Sequence, residues 1–161
     1  RELSRARSSG ALTLTRARVS VRPIVEQVVR ALARISADRG LSWKIEIGED
    51  DVFSGEENDL LEIVGNLADN ASKWATSRIV IKAPSVGGTL ALSIEDDGPG
   101  LPAENRDQMM QRGTRLDERT DGHGLGMSIV AKMVERYHGS IELAQSSHGG
   151  LAVSVTFPKS D

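Results

Sequence analysis

Asn66, Asn70 and Lys73 recur at i, i+4 and i+7 within a stretch whose apolar residues, Leu60, Val64, Leu67, Ala71 and Trp74, keep the same helical period. The two sets fall on opposite arcs of a helix from about Glu56 to Ala75, with Glu62 and Asp69 on the polar arc. Asparagine is a poor helix former, so a pair of them one turn apart in mid-helix asks for a use. Two amide oxygens at that spacing help coordinate a hard cation, and a lysine one turn on meets phosphate. A plain solvated face is the alternative. Asp96-Asp97-Gly98-Pro99-Gly100 directly follows an apolar strand. A strand-end carboxylate followed by glycines suits a pocket floor, with a fixed acceptor for a ligand N–H and bare backbone that a flat ring can approach. An Asp-Gly turn is the bland reading. Gly122-His123-Gly124-Leu125-Gly126-Met127-Ser128 leads into another helix. Glycines just before a helix N-terminus expose its free N–H groups to an anion, which favours phosphate. The G-x-G-x-G spacing matches neither the dinucleotide fingerprint nor the G-x-x-x-x-G-K-[ST] loop.

These segments need elements to hold them. Ile24, Val28, Leu32 and Ile35 mark a first amphipathic helix from Pro23 to a stop at Arg39-Gly40. Trp43, Ile45 and Ile47 alternate with Lys44 and Glu46 as a strand with one buried face does. Residues 79–83 and 89–96 read as an antiparallel hairpin about Gly87-Gly88, and residues 141–144 and 151–157 as a second about His148-Gly149-Gly150. Residues 125–138 form a third helix closed by Gly139. The expected fold is an α/β (α+β) two-layer sandwich, with a mixed, mostly antiparallel sheet of about five strands packed on three helices. Residues 1–19, rich in arginine around a Ser-Ser-Gly break, read as a linker, leaving 20–161 as the domain. Residues from about Leu101 to Asp121 form a long charged connection of the kind used as a lid.

Apolar residues at 39% and charged residues at 27% describe a chain able to build a packed core. With no cysteine there is neither a disulfide framework nor a thiolate metal site, which suits a reducing compartment. A net charge of −3 and 3% aromatic residues argue against nucleic-acid binding. No apolar run approaches a membrane span, and a chain opening at Arg1 rather than Met reads as a fragment.

NLADNASKW (66–74), DDGPG (96–100) and GHGLGMS (122–128) resemble, in order and spacing, the N, G1 and G2 boxes of the histidine-kinase ATPase domain, whose fold is shared with gyrase, Hsp90 and MutL. The similarity runs over nearly the whole chain from about residue 20, and EDDGPGLP and QRGTRLDERTDGHGLG look like sensor kinases of the PhoQ type. The resemblance implies a Bergerat ATP-binding fold that takes ATP or ADP with Mg²⁺. Asn66 and Asn70 would hold the Mg²⁺ and Lys73 the phosphates. Asp96 would accept from the adenine amino group in a pocket shaped by Gly98 and Gly100, with Trp74 where similar kinases often stack a tyrosine. Arg115 and His123 match lid positions near the phosphates, and Gly122, Gly124, Leu125 and Gly126 belong to the closing segment. Arg119 falls near a second basic lid position, and Met109 and Met110 stand where phenylalanine is common. The resemblance also implies a cytoplasmic domain of an inner-membrane sensor that works as a homodimer although the fragment is monomeric. Residues 1–19 would then be the end of a dimerisation helix hairpin. Partners would be that histidine-bearing domain and, through it, a response regulator, with no membrane contact by this domain.

The ATPases of the same fold carry a glutamate four residues before the magnesium asparagine to activate water, and here that position is Asn66. The other rivals are an anti-sigma serine kinase and a nucleotide-binding module that has lost phosphotransfer. No histidine among His123, His138 and His148 lies in the H-E-x-x-x-P context of a phosphoacceptor, so the acceptor is expected upstream.

Overall fold

The computed structural model describes residues 17–83, 87–105 and 125–158. Helix α1 spans Val21–Ile35, and its buried residues Val21, Ile24, Val25 and Val28 keep the spacing of a single apolar stripe. It starts ahead of Pro23, whose missing N–H lies among first-turn donors that have no helical partner anyway. It ends sooner than Arg39-Gly40 suggests: a 3₁₀ turn over Ala37–Arg39 follows and closes on Gly40 at φ 63°. Strand β2 spans Ser42–Glu46 with alternating exposure, as its sequence alternation requires.

Helix α2, Glu57–Trp74, is the central helix of its layer, packed against α1 on one side and helix α3, Leu125–Arg136, on the other. Leu60, Ile63, Val64 and Leu67 on α2 are at most 2% exposed. Burying each such side chain contributes about 1.5–3 kcal/mol, which fixes the rotation of the helix and so the direction of its polar arc. Strands β4 (Arg78–Lys82), β5 (Leu90–Asp96), β6 (Ser140–Gln145) and β7 (Leu151–Phe157) join β2 in a five-stranded sheet of order β2-β4-β5-β7-β6. Only β2 and β4 run parallel, and the other neighbours are antiparallel. Ile79, Ile81, Leu92, Ile94, Val153 and Val155 meet the helical stripes in one core. The mixed two-layer sandwich expected from the residue pattern is therefore the fold observed.

One element has no counterpart in the sequence reading. Arg18–Ser20 (β1) pairs antiparallel with Val52–Ser54 (β3) in a separate two-stranded sheet that seats Phe53 at 1% exposure. Arg18 and Val19, assigned by composition to the linker, are thus part of the folded body. The end of α3 also differs in detail. His138, at φ 59°, is the left-handed residue, with its N–H donating to Glu135 and that of Gly139 to Val134. Gly139 is needed for a different reason, since a β-carbon there would come within 2.4 Å of the Thr156 carbonyl oxygen.

Candidate functional site

Helix α2 brings its polar residues to the site in two ways. The Asn66 side chain donates from Nδ2 to the Glu62 carbonyl at 2.7 Å, a local bond that turns Oδ1 outward as an acceptor. That oxygen faces the first turn of α3, where a β-carbon on Gly126 would lie 3.2 Å from it. Asn70, one turn on, is 6% exposed, and its Oδ1 is buried without a hydrogen-bond partner among the described residues. An acceptor left this way costs about 1–3 kcal/mol, which a bound donor or cation would offset. Lys73 reaches the end of the same arc, paired with Asp69 at 3.2 Å with both side chains about half exposed. A surface pair of this kind is weak enough to open for a ligand.

Asp96 ends β5 at 3% exposure, and its Oδ1 accepts from the amides of Gly98 at 2.8 Å and Leu151 at 3.3 Å. Burial raises its carboxyl above the usual range, against the pull of those two amides, and the neighbouring Asp97 charge adds to the rise. Among the described residues both bonds fall on Oδ1, which leaves the lone pairs of Oδ2 for a ligand donor.

The glycines of this segment have separate tasks. A β-carbon on Gly98 would come within 2.0 Å of the Trp74 carbonyl oxygen, so only glycine lets β5 run this close to the end of α2. Gly100, at φ 73°, turns the chain against Gly150. Gly150 belongs to the site although it reads in sequence as a turn residue only: a β-carbon there would lie 2.1 Å from Asp96 Oδ1. A Gly-Gly turn in a hairpin carries no local mark of a carboxylate that lies beyond β6 and α3 in the sequence. Only Gly149, at φ 103°, has the backbone that the turn reserves for glycine, so the glycine at 150 answers to Asp96 instead.

The Asn-bearing helix, the strand-end carboxylate and the start of α3 thus meet, through Asn66 with Gly126 and Trp74 with Gly98. Leu125 opens α3, so the free N–H groups of that helix lie beside Asn66. The arrangement offers an acceptor for a ring amino group, amide oxygens for a hard cation, and a lysine with helix N–H groups for anions. Arg115, Gly122, His123 and Gly124 lie outside the described residues, as do Arg119, Met109, Met110 and the Leu125 side chain. Among the described residues there is no cluster of histidine, cysteine, aspartate and glutamate able to hold a metal, so a cation here would depend on the asparagines.

The family of histidine kinase-, DNA gyrase B- and HSP90-like ATPases matches residues 55–161. Sensor protein PhoQ of Escherichia coli (strain K12) is 33% identical over 155 residues, covering 96% of this chain and 32% of that protein. Sensor protein kinase CarS of Pseudomonas aeruginosa (strain PAO1) is 45% identical over 103 residues, covering 64% of this chain and 23% of CarS. The chain spans about a third of the length of its PhoQ relatives. Among solved structures, the catalytic domain of histidine kinase ThkA superposes with a TM-score of 0.79 at 19% identity, over 91% of this chain and 97% of that one. A mycobacterial sensor histidine kinase, MprB, does so at 0.76 and 23% identity, over 89% and 97%. The chain belongs to the histidine kinase-, DNA gyrase B- and HSP90-like ATPase family, as a catalytic ATP-binding domain of the sensor histidine kinase kind.

Proposed function

We propose that this domain binds Mg²⁺-ATP and presents the γ-phosphate to a histidine on a separate dimerisation domain of the same protein. A response regulator would then take the phosphoryl group from that histidine. The observation that carries this reading is the buried Asn70 Oδ1, unpaired among the described residues and one turn from Asn66, which itself lies beside the N-terminus of α3. Asp96 accepts the adenine amino hydrogen, with the Trp74 end of α2 and the Gly149-Gly150 turn bounding the ring. Asn66 and Asn70 fit a hard cation through their amide oxygens, and Mg²⁺ held there would neutralise phosphate charge. Lys73 meets the phosphates from the end of α2, and the family resemblance assigns Arg115, Gly122, His123, Gly124 and Gly126 to the same phosphate end of the site.

In the transfer a histidine nitrogen forms a bond to the γ-phosphorus while the bond from that phosphorus to the bridging oxygen breaks, and ADP leaves. This chain contributes positioning and charge rather than a covalent group. The parent protein would be a homodimeric membrane sensor with this domain on the cytoplasmic side. Among the described residues no helix is long and apolar enough to cross a membrane.

Calorimetry with Mg²⁺-ATP, followed by transfer of radiolabel to a separately supplied dimerisation domain, tests the reading. Binding with label on the added domain is expected. No binding would overturn it, and binding with brisk phosphate release would favour an ATPase instead.

A further inference from the structure

Beside Asp96 stands a second carboxylate, Asp97, with a different set of partners. Asp97 Oδ1 accepts three consecutive backbone amides, Thr76 at 2.9 Å, Ser77 at 2.9 Å and Arg78 at 3.0 Å, and its Oδ2 accepts the Ser77 hydroxyl at 2.6 Å. Consecutive N–H groups converging on one oxygen form an anion nest, and here the anion is the protein's own. The nest lies where the chain leaves α2 for β4, immediately after Lys73 and Trp74. The Arg39 guanidinium donates to the carbonyls of Ser72 and Ala75, which α2 leaves without helical partners. Within the segment that Arg39 holds, the Trp74 carbonyl abuts Gly98.

We propose that Asp97 is a positioning residue, whose carboxylate bolts the end of the Asn-bearing helix to the end of β5 and so sets Lys73 and Trp74 relative to Asp96. Arg39 completes the clamp by holding the Ser72 and Ala75 carbonyls. The role rests on the nucleotide-site reading above, because it concerns the spacing of groups assigned there to phosphate and adenine. A clamp of this kind acts through geometry: a fraction of an ångström at the helix end is carried directly to both side chains. An acceptor is all that the three amides require, so an uncharged Asn at 97 can keep them on its Oδ1, whereas Ala cannot.

The test uses the whole chain with Mg²⁺-ADP as the probe, read by calorimetry and by amide exchange without nucleotide. Asp97→Ala should weaken ADP binding by about tenfold, with faster exchange at Thr76, Ser77 and Arg78, while Asp97→Asn restores affinity to within about threefold of the original. Restoration by an uncharged acceptor supports positioning and excludes a charge effect. Should Asp97→Ala fail to fold, Arg39→Met, at an exposed side chain, carries the same test and should weaken binding several-fold. Equal ADP affinity in the original chain and in the folded variants would overturn the proposal, as would an Asp97→Asn chain no better than Asp97→Ala. No ADP binding by the original chain would sink the nucleotide reading and this role with it. That result is distinct from failure of the clamp alone, where the original chain binds and the variants bind equally well.

Discussion

Asn66 on α2 and Gly126 on α3 are in contact in a way that only a glycine permits without adjustment: a β-carbon at 126 would lie 3.2 Å from Asn66 Oδ1 and 3.7 Å from its Cβ. The asparagine amide is not free to swing aside, because its Nδ2 is bonded to the Glu62 carbonyl. Gly126→Ala should therefore push Asn66 away from a cation while making α3 a better helix. Alanine is favoured over glycine within a helix by up to about 1 kcal/mol. The expected outcome is a thermal midpoint unchanged or raised, with Mg²⁺-ADP affinity lowered by about threefold to tenfold. Unchanged affinity in calorimetry would remove Asn66 from the cation site.

Asp96 predicts a similar opposition between stability and binding. Its carboxyl is raised by burial, so the folded chain holds the proton more tightly than the unfolded one. Stability therefore falls as pH rises through the carboxylate range, and the loss persists at pH 7. Asp96→Asn keeps Oδ1 for the Gly98 and Leu151 amides and removes the buried charge. The variant should melt at least as high as the original at pH 7, with the advantage shrinking as the solution is acidified. Its adenine affinity should drop by roughly 2–4 kcal/mol, because a charged acceptor is lost and a donor now faces the amino group. A lower midpoint at pH 7 would contradict the burial argument, and intact affinity would contradict the site assignment.

Much of this could be read in the residue pattern, and what could not has a physical reason. The helices and the five main strands declare themselves through apolar periods that reflect one buried face, as Leu60, Val64 and Leu67 do on α2. Asn66 and Asn70 stood out because they occupy a helix against their own preference, with Lys73 on the same arc. The β1–β3 ribbon escaped because three residues are too few to show alternation, and its single anchor, Phe53, carries no local period. Gly150 and Asp97 escaped because their importance lies in partners far away in sequence, Asp96 for one and the amides of Thr76, Ser77 and Arg78 for the other. A turn glycine and a turn aspartate look alike whether or not something is packed against them. The parallel pairing of β2 with β4 is likewise invisible locally, since it depends on α2 lying between them in sequence.

Asp97 also predicts behaviour in acid. Burial pushes its carboxyl up, but the Ser77 hydroxyl and the amides of Ser77, Arg78 and Thr76 outweigh that and hold it well below the usual carboxylate range. A depressed carboxyl contributes stability above its unfolded value and loses it as pH falls through that value and beyond. Asp97→Asn should accordingly show a shallower loss of thermal midpoint below about pH 4 than the original chain. An identical acid slope in the two proteins would argue that the nest does not stabilise the ionised form.

Tyr137 offers a control remote from the nucleotide groups. Its hydroxyl donates to the buried Asp59 carboxylate and accepts from the Glu56 amide, tying the end of α3 to the start of α2. Burial and the Asp59 carboxylate push the phenol up to about 12, so it remains a neutral donor at any ordinary pH. Tyr137→Phe keeps the ring contacts with Phe53 and Phe157, at centroid distances of 4.9 Å and 6.2 Å, and removes only the hydroxyl. A loss of about 1–3 kcal/mol of stability is expected from chemical denaturation, with nucleotide affinity unchanged. Weakened binding at intact stability would place Tyr137 in the site's support instead.

The chemistry that this domain should not perform alone is as informative as its binding. Asn66 stands where the resemblance to ATPases of the fold expects the water-activating glutamate, and an amide does not take a proton at neutral pH. Its Nδ2 is already committed to the Glu62 carbonyl, so the remaining function is that of an acceptor. The described histidines are no better placed to receive phosphate: His138 forms the left-handed cap of α3, and His148 lies in the β6–β7 turn with its amide bonded to Ser146. The isolated chain should thus bind Mg²⁺-ATP, acquire no stable label and release phosphate only at a trace rate. A separately added histidine-bearing dimerisation domain should become labelled, though weakly, because no tether raises its effective concentration. Stable label on this chain would reveal a built-in acceptor. Brisk phosphate release would reveal a water-activating base other than residue 66.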